Sequence, residues 1–465
     1  MTIDLRHPLP GSKPLVVGAG RSGLAAARLL RHHGLDVRLC DRRPAEAFAG
    51  IDPARLAGVA AVFGRDDETL LEGRDVVIWS PGLSLDHPIA RAAEARGVPV
   101  LSELELGFLA AHAPLLCVTG TNGKSTTTDL IGALLAAAGR EIAVCGNIGL
   151  ALCEVAERVG PSGLLVVEVS SFQLETVQRL KPFVAVWLNL TPDHADRHGD
   201  FATYGAAKQR LFARQDETDY AVWNAEDGEV MARRTGAATP LYFSRTFAVE
   251  AGAFAEGGLI RLAWRGGIET LMPASEVRLP GPHNLANVLA ALAATLPLEI
   301  APDTLREVLR GYAGLEHRLE TVATVEGVTF VNDSKATNVG SMEVALESFA
   351  EPVVLIAGGR DKGQDFAPLA AAASRRVAHA VLIGEGAERI AASWPDVPKT
   401  RVSSLDQAVD VAFLHATRAL PGSRGSRTVL LSPGCASFDM FRDYEDRGRR
   451  FKAEVERLRH EGVVS

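Results

Sequence analysis

Residues 115–126 read LLCVTGTNGKST, and this stretch decides the fold of the middle of the chain. An apolar strand runs into a glycine-rich turn, and residues 125–138 then have the pattern of a largely buried helix. A glycine loop between a strand and a helix N-terminus can surround a phosphate with backbone N–H groups. Lys124 can reach the β- and γ-phosphates, and the hydroxyl of Ser125 or Thr126 can bind Mg²⁺, so ATP is the expected ligand.

The loop is shorter than the usual phosphate-binding motif, which would place a glycine where this chain has Val118. A tight turn with a chance lysine is the alternative interpretation. The position between a buried strand and a helix favours the phosphate loop. Its predicted backbone contacts come from Gly120, Thr121, Asn122 and Gly123.

The first hundred residues repeat the same order of elements: strand, glycine turn and helix. An apolar strand at 15–17 leads into a G-x-G-x-x-G turn at 18–23, a helix runs to about His33, and strands follow at 36–41 and 75–79. Because Asp41 ends a strand where a ribose-binding acid would sit, a dinucleotide site is one alternative. A lone glycine fingerprint is weak, so binding of another nucleoside diphosphate is the favoured interpretation.

Further polar residues follow predicted strands at 164–169 and 184–190. Glu168 ends an apolar strand beside the phosphate loop, and a carboxylate there can bind Mg²⁺ or form an ordinary ion pair. The run 189–198, NLTPDHADRH, is dense in ionisable groups and includes His194, which favours a functional loop over a merely polar one. Lys208 on its own would pass for an exposed helical lysine.

The chain is too long for one core, and its pattern predicts α/β domains at 1–106, 107–314 and 315–465. Residues 242–278 look like a small antiparallel addition, and residues 312–315 look like a linker. Beyond the linker, strands at 329–332, 353–357, 380–383 and 428–431 alternate with helices. Asn287 can cap a helix or contact an adenine, and the run 332–338, NDSKATN, is too polar for ordinary scaffolding.

Composition excludes several classes of partner. Of the 465 residues, 57 are acidic and 49 basic, a net charge of −8 that argues against nucleic acid or an anionic membrane. The five cysteines lack zinc-ligand spacing, which fits reduced thiols. We find neither a signal-like N-terminus nor an apolar run of about 20 residues, so we expect a cytoplasmic protein.

Several motifs together resemble the Mur ligase family of three-domain enzymes, which extend the peptide of the cell-wall precursor. The phosphate loop marks the wider superfamily, and the other motifs are similar to the branch that adds D-glutamate. These motifs are GNIG at 146–149, SSFQLE at 170–175, TPDH at 191–194, DSKATN at 333–338 and SPGCAS at 432–437. The resemblance covers essentially the whole chain. It implies a Rossmann-like N-terminal domain for the UDP substrate, a P-loop ATPase-like central domain for ATP, and a Rossmann-like C-terminal domain for the amino acid.

The resemblance also implies residue roles. The UDP-muramyl substrate would contact Ser22, Arg42, Arg43, Gly82 and Asn147. ATP would contact residues 120–126, Asn287, Arg318 and Asp333. Two Mg²⁺ ions would be held by Ser125, Glu168, His194 and a carbamylated Lys208, which with Lys124 form the catalytic set. The amino acid would be held by Lys335, Thr337, Lys362, Ser437 and Tyr444.

The expected reaction joins D-glutamate to UDP-N-acetylmuramoyl-L-alanine through an acyl phosphate, in a protein expected to act as a monomer. Gly434 stands where the family commonly has Ala, and Tyr444 where it commonly has Phe. The choice between D-glutamate, L-glutamate and another amino acid therefore stays open. An NAD-dependent dehydrogenase or sensor, and a nucleotide-binding module without catalysis, are the other functions considered.

Overall fold

A computed structural model of the chain describes residues 9–48, 56–279, 281–349, 351–361, 363–418 and 427–461. The described residues divide into two compact units. Unit one contains the residues up to Arg278 together with Leu285–Tyr312. Unit two contains Leu279–Asn284 and the residues from Ala313 onward.

The first sheet of unit one is parallel throughout its described strands. Its strands are β1 (Pro14–Val17), β2 (Arg38–Asp41), β3 (Ala60–Phe63), β4 (Val76–Trp79) and β5 (Val100–Ser102), and its helices are α1 (Arg21–His32), α2 (Pro88–Ala95) and α3 (Glu103–Ala110). The strand order is β3-β2-β1-β4-β5. A Cβ added at Gly23 would lie 1.8 Å from the carbonyl oxygen of Gly18, so glycine is what allows α1 to pack this closely after β1.

The second sheet of unit one surrounds the phosphate loop. Its strands are β6 (Leu115–Thr119), β7 (Ile142–Gly146), β8 (Leu164–Glu168), β9 (Val184–Trp187), β10 (Tyr220–Asn224), β11 (Thr239–Ser244), β12 (Gly252–Glu256), β13 (Leu259–Trp264) and β14 (Gly267–Pro273). Their order is β14-β13-β12-β11-β10-β9-β6-β8-β7, and only the β12-β13 and β13-β14 pairs are antiparallel among the described strands. The helices are α4 (Lys124–Ala137), α5 (Leu152–Val155), α6 (Ser171–Leu174), α7 (Ala195–His198), α8 (Phe201–Gln209), α9 (Gly228–Ala232), α10 (Pro282–Thr295) and α11 (Pro302–Gly311).

Helix α3 joins the two sheets of unit one and is almost entirely buried. The carboxylate of Glu105 accepts hydrogen bonds from the backbone N–H groups of residues 178–180 at 2.7–3.2 Å. Glu103 accepts one from the N–H of Cys153 at 2.7 Å. Burial raises the pKa of both carboxyl groups, although these hydrogen bonds favour the charged form. The two acids therefore anchor α3 to segments of the second sheet by satisfying buried backbone donors.

Unit two contains a third α/β layer. Its strands are β15 (Glu320–Val325), β16 (Val328–Asn332), β17 (Val353–Gly358), β18 (Val377–Ile383), β19 (Lys399–Arg401) and β20 (Thr428–Leu431), with α12 (Val339–Glu347), α13 (Ala370–Arg376), α14 (Ala387–Ser393), α15 (Leu405–Thr417) and α16 (Tyr444–Glu461). The order is β15-β16-β20-β17-β18-β19, and β15 alone among these strands runs antiparallel to its neighbour. Because β20 lies between β16 and β17, the loops after these three strands are neighbours at one edge.

The predicted α/β fold class is confirmed, and most predicted strands lie within one to three residues of their observed bounds. The strand predicted at 184–190 is too long, since β9 ends at Trp187. Beyond it the chain turns to bind the phosphate loop, so the apolar Leu188 and Leu190 belong to a loop. The antiparallel addition predicted at 242–278 is correct for β12 to β14, whereas β11 pairs in parallel with β10.

The structure also bears on the cysteines and on membrane-spanning segments. All five cysteines are buried and free. Among the described residues, each helix is too short or too polar to cross a bilayer.

A pair of stacked histidines in unit two predicts a specific pH dependence. The rings of His379 on β18 and His415 on α15 are stacked with centroids 3.6 Å apart, and His379 Nε2 lies 2.9 Å from the Thr400 hydroxyl. Burial, and then the neighbouring His415, lower the pKa of His379 from 6.5 to about 4. Burial and then Arg418 lower the pKa of His415. The neutral pair therefore stabilises the fold above pH 6.5, and this contribution is lost as the pH falls from 6.5 towards 4.

We expect His379→Gln to weaken the acid sensitivity of unit two. Between pH 7 and pH 5, the free energy of unfolding of the wild type should fall by about 1–2 kcal/mol more than that of the variant. Denaturant unfolding at several pH values, followed by a probe in unit two, measures this difference. Comparing the two proteins at each pH cancels the titration of other groups. Identical pH slopes would contradict the prediction.

Candidate active site

The loops at the carboxyl ends of β1, β2 and β4 form one candidate binding edge. The chain leaves β1 in one direction towards β2 and returns on the other side as β4, so the ends of β1 and β4 mark the point where the strand order reverses, which is the usual ligand position in such sheets. The predicted substrate residue Ser22 lies in the first turn of α1, directly after the loop that follows β1. Arg42 and Arg43 lie on the loop after β2, and Gly82 lies on the loop after β4. The structure thus brings them to one edge of the first sheet.

Asp41 has a different role from the ribose-binding acid considered in the dinucleotide alternative. Its Oδ2 accepts a hydrogen bond from the N–H of Ala19 at 2.8 Å, and its carboxylate also receives the Arg43 guanidinium at 2.8–2.9 Å. Burial alone would raise the pKa of Asp41, but these hydrogen bonds prevail and lower it to about 2. Asp41 therefore holds the glycine turn to Arg43, whose guanidinium also lies 4.6 Å from the ring centroid of Phe48.

The phosphate loop lies between β6 and α4, as predicted. Its two glycines have positive φ, +155° at Gly120 and +84° at Gly123. A Cβ at Gly120 would lie 2.9 Å from the Cβ of Leu188, and one at Gly123 would lie 2.2 Å from Oδ1 of Asn287. Glycine is therefore required at both positions, and the predicted ATP contact Asn287 is packed against the loop itself.

Asn189 clamps the phosphate loop, a role that the sequence did not assign to it. Its Oδ1 accepts a hydrogen bond from the N–H of Asn122 at 2.8 Å, and its Nδ2 donates one to the carbonyl of Asn122 at 3.0 Å. The Asn189 carbonyl accepts from the N–H of Thr121 at 3.1 Å. The side chain of Thr121 is held in turn by Thr191 and Tyr204. The cue available in the sequence was an asparagine directly after a buried strand beside the loop.

Two lysine side chains meet at the carbonyl oxygen of Gly120. Lys124 Nζ donates to it at 2.9 Å and to the carbonyl of Thr121 at 2.8 Å. Lys208 Nζ, brought by α8, donates to the same oxygen at 2.8 Å. The structure therefore places Lys208 against the phosphate loop, a position for which its spacing in the sequence gave no argument.

Lys208 is only 1% exposed and lies 4.7 Å from the ring centroid of Tyr204. Burial and then the charge of Lys124 lower its pKa well below 10.5, while Asp193 and Glu168 act in the opposite direction. Because the ammonium form is disfavoured, the amine has an available lone pair. Such an amine can act as a nucleophile.

Glu168 ends β8, the strand next to β6, and is 1% exposed. Its Oε1 accepts a hydrogen bond from Asn147 Nδ2 at 2.7 Å. Its Oε2 is buried without a hydrogen-bond partner among the described residues. An unpaired carboxylate oxygen in such a place is costly unless a cation completes it, which fits the predicted metal ligand.

His194 lies on the segment after β9, next to Tyr204. Its side chain is 40% exposed, its φ is +53°, and its ring lies 4.8 Å from Phe172 and 5.8 Å from Tyr204, centroid to centroid. Tyr204 contacts Lys208 on its other side. His194 is therefore adjacent to the cluster of Lys208 and the phosphate loop.

Unit two places Asp333 directly after β16. Its Oδ2 accepts a hydrogen bond from the hydroxyl of Ser432 at 2.9 Å, and its Oδ1 accepts one from the N–H of Leu319 at 3.3 Å. Burial raises the pKa of Asp333 to about 7, although Ser432 and Arg318 favour the charged form. Arg318 Nη1 is buried without a hydrogen-bond partner among the described residues. These two predicted ATP residues are therefore neighbours, with donor capacity left for a ligand.

The predicted amino-acid residues cluster around α16 and the loops after β16 and β20. Lys335 Nζ lies 5.8 Å from the ring centroid of Tyr444, and Thr337 and Ser437 lie on those two neighbouring loops. Lys362 lies outside the described residues. Gly434 has φ +63°, and a Cβ there would lie 2.5 Å from Cε of Met342, so glycine fits this backbone better than alanine would.

Arg447 holds these loops together and was missed by sequence reasoning. The fully buried guanidinium donates to the hydroxyl of Ser334 at 2.9 Å, to the carbonyl of Ser334 at 2.7 Å and to the carbonyl of Cys435 at 3.1 Å. Burial lowers the pKa of Arg447 to about 10, against the attraction of nearby acidic groups. An arginine inside a charged, exposed-looking helix gave no signal in the sequence.

One further group of possible metal ligands lies in unit two. The ligand atoms of Glu316, His317 and Glu320 lie within 4.8 Å of one another. However, Lys452 Nζ donates to Glu316 at 2.8 Å and to Glu320 at 2.6 Å. The ammonium group already supplies the positive charge, so this group is an ion-pair network.

Sequence models of known domain families match most of the chain. Residues 12–102 match "Mur ligase MurD-like, N-terminal domain", residues 118–295 match "Mur ligase middle domain", and residues 317–434 match "Mur ligase, glutamate ligase domain". These matches follow the order of the three sheets.

Curated relatives and solved structures agree with the domain matches. The UDP-N-acetylmuramoylalanine--D-glutamate ligase of Pelotomaculum thermopropionicum is 42% identical, covering 95% of this chain and 97% of the relative. The ligase of the same name from Geobacter metallireducens is 43% identical, covering 97% and 98%. The structure of UDP-N-acetylmuramate-alanine ligase from Thermotoga maritima has a TM-score of 0.59 at 19% identity, covering 97% and 99%. A pseudomurein peptide ligase from Methanothermus fervidus has a TM-score of 0.57 at 17% identity, covering 96% and 100%.

The two solved structures share the fold with this chain. The relatives above 40% identity extend over nearly the full length of both sequences. The chain therefore belongs to the Mur ligase family.

Proposed function

We propose that this protein is an ATP-dependent ligase that joins D-glutamate to UDP-N-acetylmuramoyl-L-alanine in peptidoglycan precursor synthesis. The observation that carries the proposal is the convergence of Lys124, Glu168 and Lys208 at the phosphate loop. A loop that only bound a nucleotide would have no need of a buried, unpaired carboxylate and a second lysine with a lowered pKa beside it. The names of the full-length relatives support the substrate assignment.

The proposed nucleotide-sugar site uses Ser22, Arg42, Arg43, Gly82 and Asn147. Backbone N–H groups at the start of α1 and the arginines after β2 provide positive charge for a diphosphate. The engagement of Asp41 with Ala19 and Arg43 weighs against the NAD alternative, because this acid is the usual partner of an adenosine ribose. A dehydrogenase would also leave the phosphate loop and Glu168 unexplained.

The residues near the phosphate loop fit Mg²⁺. Glu168 offers a buried carboxylate oxygen without a partner, Ser125 a buried hydroxyl, and His194 an imidazole. In its unprotonated form, which burial favours, the amine of Lys208 can attack CO₂ and lose a proton to give a carbamate, which would provide a second anionic ligand. We propose two ions in this set. When bound, Mg²⁺ neutralises negative charge on the transferring phosphoryl group.

The proposed chemistry needs positioning and electrostatics rather than a covalent enzyme intermediate. An oxygen of the alanine carboxylate attacks the γ-phosphorus of ATP. The bond from that phosphorus to the bridging oxygen breaks, so the products of this step are ADP and an acyl phosphate. The amine of glutamate then attacks the acyl carbon, loses a proton and displaces phosphate. Lys124 stabilises the charge on the phosphates, and the clamp by Asn189 keeps the loop N–H groups oriented before ATP binds.

We propose that unit two supplies the glutamate site through Lys335, Thr337, Lys362, Ser437 and Tyr444. Arg318 and Asp333 of unit two are proposed ATP contacts, and so is Asn287 of unit one. Lysine ammonium and hydroxyl groups suit a substrate with two carboxylates. The same chemistry with L-glutamate or another amino acid is the second candidate. At Gly434 and Tyr444 this chain departs from the residues that are common in the family. The identity of the amino acid that the enzyme accepts therefore stays open.

The proposed enzyme is a cytoplasmic monomer with domains at 1–106, 107–314 and 315–465. UDP-linked precursors, ATP and free glutamate are all cytoplasmic metabolites in this proposal. The buried, free cysteines are compatible with a reducing compartment.

A phosphate-release assay tests the proposed function. We expect ADP and phosphate to form only when ATP, Mg²⁺, UDP-N-acetylmuramoyl-L-alanine and an amino acid are all present, with D-glutamate preferred over L-glutamate and other amino acids. Lys124→Ala should lower kcat/KM by at least about 100-fold, since it removes a charge that stabilises the transferring phosphoryl group. Failure to form ADP with the complete mixture would refute the ligase.

Replacing Asn189 tests the preorganised loop. Asn189→Ala removes both hydrogen bonds to the main chain of Asn122 and should weaken ATP binding about 10-fold, equivalent to about 1.4 kcal/mol. Asn189→Asp keeps the acceptor but turns a negatively charged oxygen towards the carbonyl of Asn122, so a loss at least as large is expected. Calorimetric titration with a non-hydrolysable ATP analogue measures both. Equal affinity in Asn189→Ala and wild type would show that the clamp is not needed.

Carbamylation of Lys208 has a spectroscopic test. After equilibration with ¹³C-bicarbonate, the wild type should show a carbamate carbon resonance that Lys208→Met lacks. Lys181→Met is the matched control, because Lys181 is an ion-paired surface lysine and its loss should leave the resonance unchanged. Absence of the resonance in the wild type would mean that Lys208 acts as a free amine.

A further inference from the structure

Asn147 lies where the first sheet of unit one approaches Glu168. The preceding Gly146 has φ +102°, and a Cβ there would lie 2.3 Å from the carbonyl oxygen of Glu168. This close approach lets the N–H of Asn147 donate to that carbonyl at 2.9 Å. The end of β7 is thus fixed to the end of β8 at the residue that offers the unpaired carboxylate oxygen.

The side chain of Asn147 also fixes the carboxylate itself. Nδ2 donates to Oε1 of Glu168 at 2.7 Å, which leaves Oε2 as the oxygen without a hydrogen-bond partner. Because Glu168 is 1% exposed, water does not compete for the orientation of its side chain. Asn147 therefore decides which carboxylate oxygen is presented and in which direction.

Arg21 connects this pair to the glycine turn of the first sheet. It is the first residue of α1 and precedes Ser22, and its Nη2 donates to the main-chain carbonyl of Asn147 at 3.2 Å. A ligand that orders the turn at residues 18–23 therefore acts on a segment bonded to Glu168. The contacts form a continuous chain from the candidate nucleotide-sugar edge to the candidate metal ligand.

We propose that Asn147 is a positioning residue for Glu168, and that the chain Arg21–Asn147–Glu168 couples binding of the nucleoside-diphosphate sugar to binding of a divalent cation. The proposal rests on the proposed function, in which both ligands bind unit one. Coupling between two binding sites is reciprocal, so the sugar nucleotide tightens cation binding by the same factor by which the cation tightens sugar-nucleotide binding. The consequence is that the cation binds more tightly when the acceptor substrate is present.

Mn²⁺ binding to the full chain tests the coupling. Electron paramagnetic resonance of free Mn²⁺ gives the dissociation constant with and without UDP-N-acetylmuramoyl-L-alanine, after subtraction of the Mn²⁺ bound by the substrate in a protein-free titration. We expect the substrate to tighten Mn²⁺ binding about 5- to 30-fold, and Mn²⁺ to tighten substrate binding equally. The coupling factor is the ratio of the Mn²⁺ dissociation constants without and with substrate. A loss of Mn²⁺ affinity that affects both measurements equally therefore cancels.

Arg21→Met should reduce the coupling factor to below about 2-fold while leaving Mn²⁺ affinity without substrate close to that of the wild type. Arg28→Met is the matched control, because Arg28 is an exposed arginine on the same helix without a hydrogen-bond or ion-pair partner among the described residues. The control should keep the wild-type coupling factor. A general effect of lost positive charge would reduce the factor in both variants and would overturn the proposal.

Asn147→Ala separates positioning from coupling. It should weaken Mn²⁺ binding about 10-fold even without substrate, because Glu168 loses the donor that orients it. An unchanged thermal midpoint and an unchanged far-ultraviolet circular dichroism spectrum would establish that the variant is folded. A coupling factor of 1 in the wild type, or wild-type coupling in Arg21→Met, would overturn the proposal. Either result together with normal phosphate release would leave the ligase function standing, whereas absent phosphate release would refute that function separately.

Discussion

The carbonyl oxygen of Gly120 is the point on which the site in unit one depends, since the side chains of Lys124 and Lys208 both donate to it. Two ammonium charges cannot be held on one buried oxygen at low cost. The conflict is relieved by the lowered pKa of Lys208, which is buried more deeply than Lys124. The geometry that brings α8 onto the phosphate loop therefore also disfavours the ammonium form of Lys208.

The same region shows how parallel strands assemble a polar site inside a hydrophobic core. Strand β6 lies between β9 and β8, so the loop after β6 receives Asn189 from one side and has Glu168 on the other. Oε2 of Glu168 is a buried carboxylate oxygen without a hydrogen-bond partner among the described residues, at the edge of the sheet next to this loop. Such an oxygen is a stronger indication of a cation than the acidic cluster of Glu316 and Glu320, which Lys452 already neutralises.

Buried charges also provide the scaffolding around both candidate sites. In unit one, Glu103 and Glu105 anchor α3 through backbone N–H groups. In unit two, Arg447 joins the loops after β16 and β20 through Ser334 and Cys435. Removing any one of these side chains would leave buried hydrogen-bond donors or acceptors unpaired, which costs folding free energy. These few side chains therefore strongly constrain the conformation of the segments that they join.

The sequence by itself determined the α/β fold, the phosphate loop and the family, because strand, glycine turn and helix are local patterns that recur within about twenty residues. Its pattern also placed Glu168 and the loop of His194 at one edge of the sheet, since polar residues directly after apolar strands share the carboxyl edge of a parallel sheet. Only the tertiary structure decided the roles of Lys208, Asn189 and Arg447, whose partners lie far away in the chain. It also showed that Leu188 and Leu190 belong to a loop, because a local apolar pattern cannot distinguish a strand residue from a buried residue that packs against a distant loop.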